Sequence, residues 1–131
     1  MVTKIQVVFD CADPGKQAAF WAEALHYEAE ANPGDSSGGS DWSAVDDPEG
    51  MGPRLYFQRV PEGKVAKNRM HLDLNVGGGS AESIEGRKNR IVAEVARLKD
   101  LGASDRRGAI EEDGEFWVRM NDPEGNEFCV Q

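Results

Sequence analysis

The chain has 131 residues, 39% of them hydrophobic, and a formal net charge of −9. This length suffices for one domain with its own core, and no apolar run approaches the ~18 residues of a membrane-spanning helix. The acidic charge argues against nucleic acids and anionic membranes as partners. The first residues lack the apolar stretch of a signal peptide, and two cysteines form no disulfide framework. The sequence therefore favours a cytoplasmic protein.

The first half begins with a strand and a helix. Residues 4–10 are rich in β-branched side chains, which predicts a strand. Asp13 then suits a helix N-cap, and Pro14 suits the first helical position, where no backbone N–H is needed. The helix has an apolar stripe, from which we expect three side chains to be buried: Phe20, Trp21 and Leu25.

The remainder of the first half predicts short strands separated by loops. Strands are expected at residues 27–31, 42–45 and 54–60, and a loop rich in Gly, Ser, Asn and Pro at residues 32–40. Residues 61–69 are polar and basic, which is typical of a linker between the two halves.

The second half repeats this order. Polar and apolar residues alternate over 70–76, so His71 and Asp73 are expected on one face of a strand. The glycine-rich residues 77–87 are predicted to be mobile or to pack as a flap near the cavity mouth. A helix follows, and residues 115–120 and Glu127–Val130 read as strands. The side chains expected in this core are Leu72, Leu74, Val92, Val95 and Leu98.

A repeated turn indicates an internal duplication. The sequence Asp-Pro-Glu-Gly occurs at residues 47–50 and again at 122–125, 75 residues later. Each half reads β-α-β-β-β. We therefore predict an α+β fold of two tandem βαβββ modules, residues 1–61 and 69–131, with mixed, mainly antiparallel sheets curled round a central cavity.

This pattern resembles the vicinal-oxygen-chelate superfamily, which includes glyoxalase I, bleomycin-resistance proteins, fosfomycin-resistance enzymes and extradiol dioxygenases. The resemblance covers the whole chain and implies a single glyoxalase-like domain over residues 1–131. The segments that carry it are DCADP at 10–14 running into Phe20-Trp21, the stretch 57–74, and DPEGNEF at 122–128.

The resemblance also implies a set of metal-ligand positions. The first-strand ligands fall on Gln6 and His71, and the last-strand ligands near Gln58 and on Cys129, where metal-dependent members have Glu. This set contains no carboxylate, and its thiol must ionise before it binds an ion. We therefore expect a degenerate site with no tightly bound divalent ion at neutral pH, while the resemblance leaves zinc, nickel, manganese or iron open as a cofactor.

Two classes of function follow from the resemblance. One is a small-molecule-binding protein, and the other is a metal-dependent lyase or isomerase of the glyoxalase I type, with His71 and Asp73 as candidate catalytic residues. Trp117 shares a face with Arg119 by alternation, an arrangement that suits an anionic planar ligand or an exposed pair equally well. A small-molecule ligand and a homodimer are the expected partners. The candidate ligand-binding residues are Gln6, Tyr56, Gln58, His71, Asp73, Trp117 and Cys129.

Overall fold

The computed structural model describes residues 1–31, 41–79 and 81–131, which form two compact units, Met1–Gly63 and Lys64–Gln131. The predicted α+β fold with two tandem modules is confirmed. The first unit contains β1 (Gln6–Cys11), α1 (Pro14–Leu25), β2 (Glu28–Ala29), β3 (Trp42–Asp46) and β4 (Arg54–Arg59). The second contains β5 (Leu72–Leu74), α2 (Ile84–Asp100), β6 (Ser104–Glu112), β7 (Glu115–Asn121) and β8 (Glu127–Val130). The loop predicted at residues 32–40 lies outside the described residues.

Each unit has one four-stranded sheet with the same topology. The strand orders are β1-β4-β3-β2 in the first sheet and β5-β8-β7-β6 in the second. The first strand of each unit pairs in parallel with the last, and the other pairs are antiparallel. Mixed, mainly antiparallel sheets were predicted, and the structure confirms them.

The first core forms where α1 packs on its sheet. The carboxylate of Asp13 accepts a hydrogen bond from the backbone N–H of Lys16, as expected of an N-cap. Trp21 is 1% exposed. The ring centre of Phe9 lies 5.4 Å from the ring centre of Trp21 and 5.2 Å from that of Phe57. Aromatic side chains from helix and sheet therefore interlock in this core.

In the second core, α2 buries a narrower stripe than the sequence predicted. Ile91, Val95 and Leu98 are buried at the spacing of one helix face. Val92 was expected among them but is 56% exposed, because it lies one residue beyond that stripe. Of the other expected core residues, Phe20, Trp21 and Leu74 are buried, and Leu25 and Leu72 are partly buried.

The βαβββ pattern implied a strand between α2 and β7, but the sequence analysis assigned no residues to this strand, β6. It lies at the sheet edge and none of its residues is buried, so it lacks a clear apolar face. It joins β7 through Asp113 and Gly114, whose φ angles are 52° and 76°. An Asp-Gly pair with two positive φ angles is typical of a two-residue hairpin turn, and this signal could have identified the strand.

Residues 77–87, predicted to be mobile or to pack as a flap near the cavity mouth, are joined to the sheet at one end and to α2 at the other. Gly77 is buried, and its N–H donates to the carbonyl of Gln131 while its own carbonyl accepts from Arg90. At the other end, α2 already begins at Ile84. Gly77 therefore extends the β5–β8 hydrogen bonding past the end of β5.

Candidate functional site

One face of the second sheet carries most of the predicted site residues. In β7, the side chains of Phe116, Val118 and Met120 are buried and alternate with those of Trp117 and Arg119, which are partly exposed. Trp117 and Arg119 therefore lie on the face opposite the core, as alternation predicted. We call this face, with His71, Asp73 and Cys129, the polar face of the second sheet.

His71, Asp73 and Cys129 form a compact trio on this face. The imidazole Nε2 of His71 lies 3.2 Å from Oδ1 of Asp73, and Asp73 stands directly opposite Cys129 in the parallel β5–β8 pair. One ligand atom from each residue lies within 4.8 Å of the other two. Imidazole, carboxylate and thiolate are all ligands of zinc and related ions, so the trio could hold a divalent ion in an open, three-ligand site.

The protonation of Cys129 disfavours binding of a divalent ion by the trio at neutral pH. Burial raises the pKa of this thiol, and the negative charge of Asp73 raises it further. The cations Lys67, Arg107 and Arg119 act in the opposite direction but do not outweigh burial. Since a thiol must lose its proton to ligate a metal, binding of an ion here would release a proton and strengthen as the pH rises.

Among the described residues of the first unit, the sheet has no equivalent trio. If Gln6 and His71 are equivalent, as the family pattern implies, Val8 takes the place of Asp73. Its partner across the β1–β4 pair, Tyr56, then takes the place of Cys129. An amide, an isopropyl group and a phenol thus replace the imidazole, carboxylate and thiol.

Gln6 and Gln58 are not brought together. Gln6 stands opposite Arg54, and Gln58 stands opposite Asp10, four positions further along the strands. At ~3.3 Å per residue, their backbones are separated by about 13 Å. Arg54 donates to the side-chain oxygen of Gln6 over 2.6 Å, and Gln58 donates to Asp10 over 2.7 Å. Both amides are therefore used within the sheet.

An arginine that sequence reasoning did not select lies beside Gln6. Arg54 donates to both carboxylate oxygens of Glu30, over 2.5 and 2.8 Å. Its guanidinium also lies 5.4 Å from the ring centre of Tyr56, which stacks on Trp42 at 5.5 Å. Only the position of Arg54 at the start of a strong strand could have drawn attention to it, because its partner Glu30 lies 24 residues earlier.

Comparisons with known proteins agree with this architecture. The family model described as "Glyoxalase-like domain" matches residues 6–131. No protein with curated annotation gives a significant match. Within the described residues, no helix has the length and apolar character needed to span a membrane.

Several solved structures share the fold at low sequence identity. A glyoxalase/bleomycin resistance protein/dioxygenase family enzyme from Burkholderia phytofirmans PsJN superposes with a TM-score of 0.67 at 14% identity, covering 95% of this chain and 94% of that one. The hypothetical protein SA1046 from S. aureus gives 0.68 at 14% identity, covering 99% and 93%. A point mutant of the fosfomycin resistance protein FosX from Listeria monocytogenes, complexed with Mn(II) and 1S,2S-dihydroxypropylphosphonic acid, gives 0.66 at 14% identity, covering 100% and 90%. The chain thus belongs to the glyoxalase-like domain family of the vicinal-oxygen-chelate superfamily.

Proposed function

We propose that this protein binds a small molecule on the polar face of the second sheet and performs no chemistry on it. The observation that carries the proposal is the trio of His71, Asp73 and Cys129. A buried thiol with a raised pKa stands where metal-dependent relatives of the family have a carboxylate. Asp73 and His71 are already paired with each other. The trio thus offers hydrogen-bonding groups to a ligand, but it lacks the carboxylate that the resemblance places at the last-strand position of metal-dependent members.

The structure of FosX supports a small polar ligand in this fold, since that protein was crystallised with a phosphonic acid and Mn(II). At 14% identity the likeness concerns the fold, and the choice of ligand depends on the side chains of this chain.

A second candidate function is that of a divalent-metal-dependent lyase or isomerase of the glyoxalase I type. It is favoured by Asp73, which adds a carboxylate to a ligand set that lacked one in the sequence analysis. In that case His71, Asp73 and Cys129 would hold the ion, which would polarise an oxygen of the substrate.

Metal analysis of untagged protein, together with thermal shifts against metals and small metabolites, separates the two candidates. We expect well below one metal per chain at pH 7 and a melting temperature raised by at least one metabolite. His71→Asn should abolish that increase. His26→Asn is the matched control, because His26 is exposed at the end of α1 with φ 59°, a conformation that Asn tolerates.

The proposal fails if the purified protein carries one metal per chain and loses its ligand response when the metal is removed. It also fails if the two Asn variants respond to the ligand alike. The first result would favour the metal-dependent enzyme, and the second would place the ligand elsewhere on the molecule.

A further inference from the structure

Several cations lie near the polar face of the second sheet in a protein of net charge −9. Lys67, Arg107 and Arg119 are close enough to act on the Cys129 thiol, as is the acidic Asp73. Within the described ranges, no carboxylate forms an ion pair with any of these three cations. Asp73 is itself paired with His71. Positive charge without a counter-charge attracts an anion, more strongly so where the groups are partly buried.

Arg119 is the best placed of the three cations. It stands opposite Cys129 in the β7–β8 pair, and Cys129 stands opposite Asp73 in the β5–β8 pair. The three residues therefore form one row across three strands, with neighbours about 5 Å apart. A ligand bound to Arg119 would be within reach of the trio.

The guanidinium of Arg119 is held in place from one side. Its Nε donates to the carbonyl of Gly108 over 3.4 Å, and its Nη2 donates to the carbonyl of Arg107. These carbonyls are available because the pairing of β6 with β7 is irregular between Ser104 and Gly108. An arginine has five N–H donors, so three have no partner among the residues that the structure describes. An anchored guanidinium loses less conformational entropy when it binds a ligand than a free one does.

We propose that Arg119 binds an oxyanion of the ligand, a carboxylate or a phosphonate, while the body of the ligand lies against Trp117. Trp117 precedes Arg119 by two residues on the same face and is partly exposed, so its ring offers an apolar surface beside the charge. Charged hydrogen bonds from a guanidinium to two oxyanion oxygens are strong and directional. This inference rests on the proposed function and names the class of ligand.

The test compares anions with a neutral analogue of the same shape. Calorimetric titrations at pH 7 and low salt would use benzoate, phenylphosphonate and benzamide. We expect at least one anion to bind about tenfold or more tightly than benzamide, which corresponds to about 1.4 kcal/mol. Arg119→Gln should abolish this preference. Arg106→Gln, which removes the same charge from an exposed position on β6, should keep the preference.

A second measurement covers the case in which Arg119→Gln does not fold. With the wild-type protein, added salt should weaken binding of the preferred anion and leave benzamide unaffected. The assignment is overturned if the two anions and benzamide bind with equal affinity. It is also overturned if the two arginine variants have equal effects, or if anion binding does not depend on salt. In those cases the proposed function would still be supported if benzamide binds and its binding depends on His71. If none of the three probes binds, the anion assignment is wrong, and the metabolite screen decides the proposed function separately.

Discussion

The ion pair between Glu30 and Arg54 gives a quantitative prediction about stability and pH. The hydrogen bonds from Arg54, and then that from Asp46, lower the pKa of the Glu30 carboxyl from 4.5 to about 2. Because the folded-state pKa lies below the unfolded value, the ionised carboxylate stabilises the fold. This contribution is complete above about pH 4.5 and is lost as the pH falls towards 2.

The size of this contribution to the unfolding free energy follows from how far the pKa of Glu30 is lowered. Lowering it from 4.5 to about 2 corresponds to about 3 kcal/mol of unfolding free energy at neutral pH. Two effects reduce it. The side chains of Arg54 and Glu30 are 31% and 29% exposed, so water screens the pair. The hydrogen bond with Glu30 also raises the pKa of Asp46, whose ionisation then opposes folding. We therefore expect Glu30→Gln to cost about 1–2 kcal/mol at pH 7.

Urea denaturation of wild-type protein and Glu30→Gln between pH 2 and pH 7 measures this cost. The two unfolding free energies should differ most above pH 5 and converge near pH 2. Glu28→Gln is the control for the loss of one negative charge, because Glu28 is exposed and has no ion pair within the described residues. A difference that stays constant across the pH range, or one that Glu28→Gln reproduces, would refute the assignment of the effect to the Arg54 pair.

Three further predictions concern the core, the repeated turn and the trio. Leu98→Ala should lower the unfolding free energy by about 2–5 kcal/mol in urea titrations, whereas Val92→Ala should change it by less than ~0.5 kcal/mol; similar values would mean that the helix face is misassigned. Asp122 is 3% exposed and accepts three hydrogen bonds, so Asp122→Ala should cost about 1–3 kcal/mol. Asp47→Ala, at the partly exposed copy of the turn, should cost less, because water can replace the lost acceptor. Cys129→Glu should tighten zinc or nickel binding measured by calorimetry, and an unchanged affinity would mean that the trio cannot close around an ion.

Local sequence signals predicted the architecture because they are strong in this chain. The cap formed by Asp13 and Pro14, the duplicated turn and the alternation in β7 each depend on neighbouring residues, and all three are present in the structure. The edge strand β6 was missed because its exposed residues show no apolar periodicity.

The candidate site was less predictable, since it depends on register between strands distant in sequence. Alternation was enough to place His71 beside Asp73. It could not show that Asp73 faces Cys129 across the β5–β8 pair, nor that Gln58 lies four positions away from Gln6 along the β1–β4 pair. Register between such strands is fixed by packing of the whole sheet, which no short segment encodes.

Side chains alternate between the two faces of each strand. The residues that stabilise a module by packing in its core are therefore different from those on its exposed face. In β7, the residues that pack on α2 are every second one, and the residues between them can change without creating a cavity in the core. Two duplicated modules can therefore keep the same fold while their exposed faces evolve apart. If Gln6 corresponds to His71, as the family pattern implies, one face has His71 and Asp73 where the other has Gln6 and Val8. A new specificity could arise here by substituting a few face residues in a single module, with the second module preserving the fold.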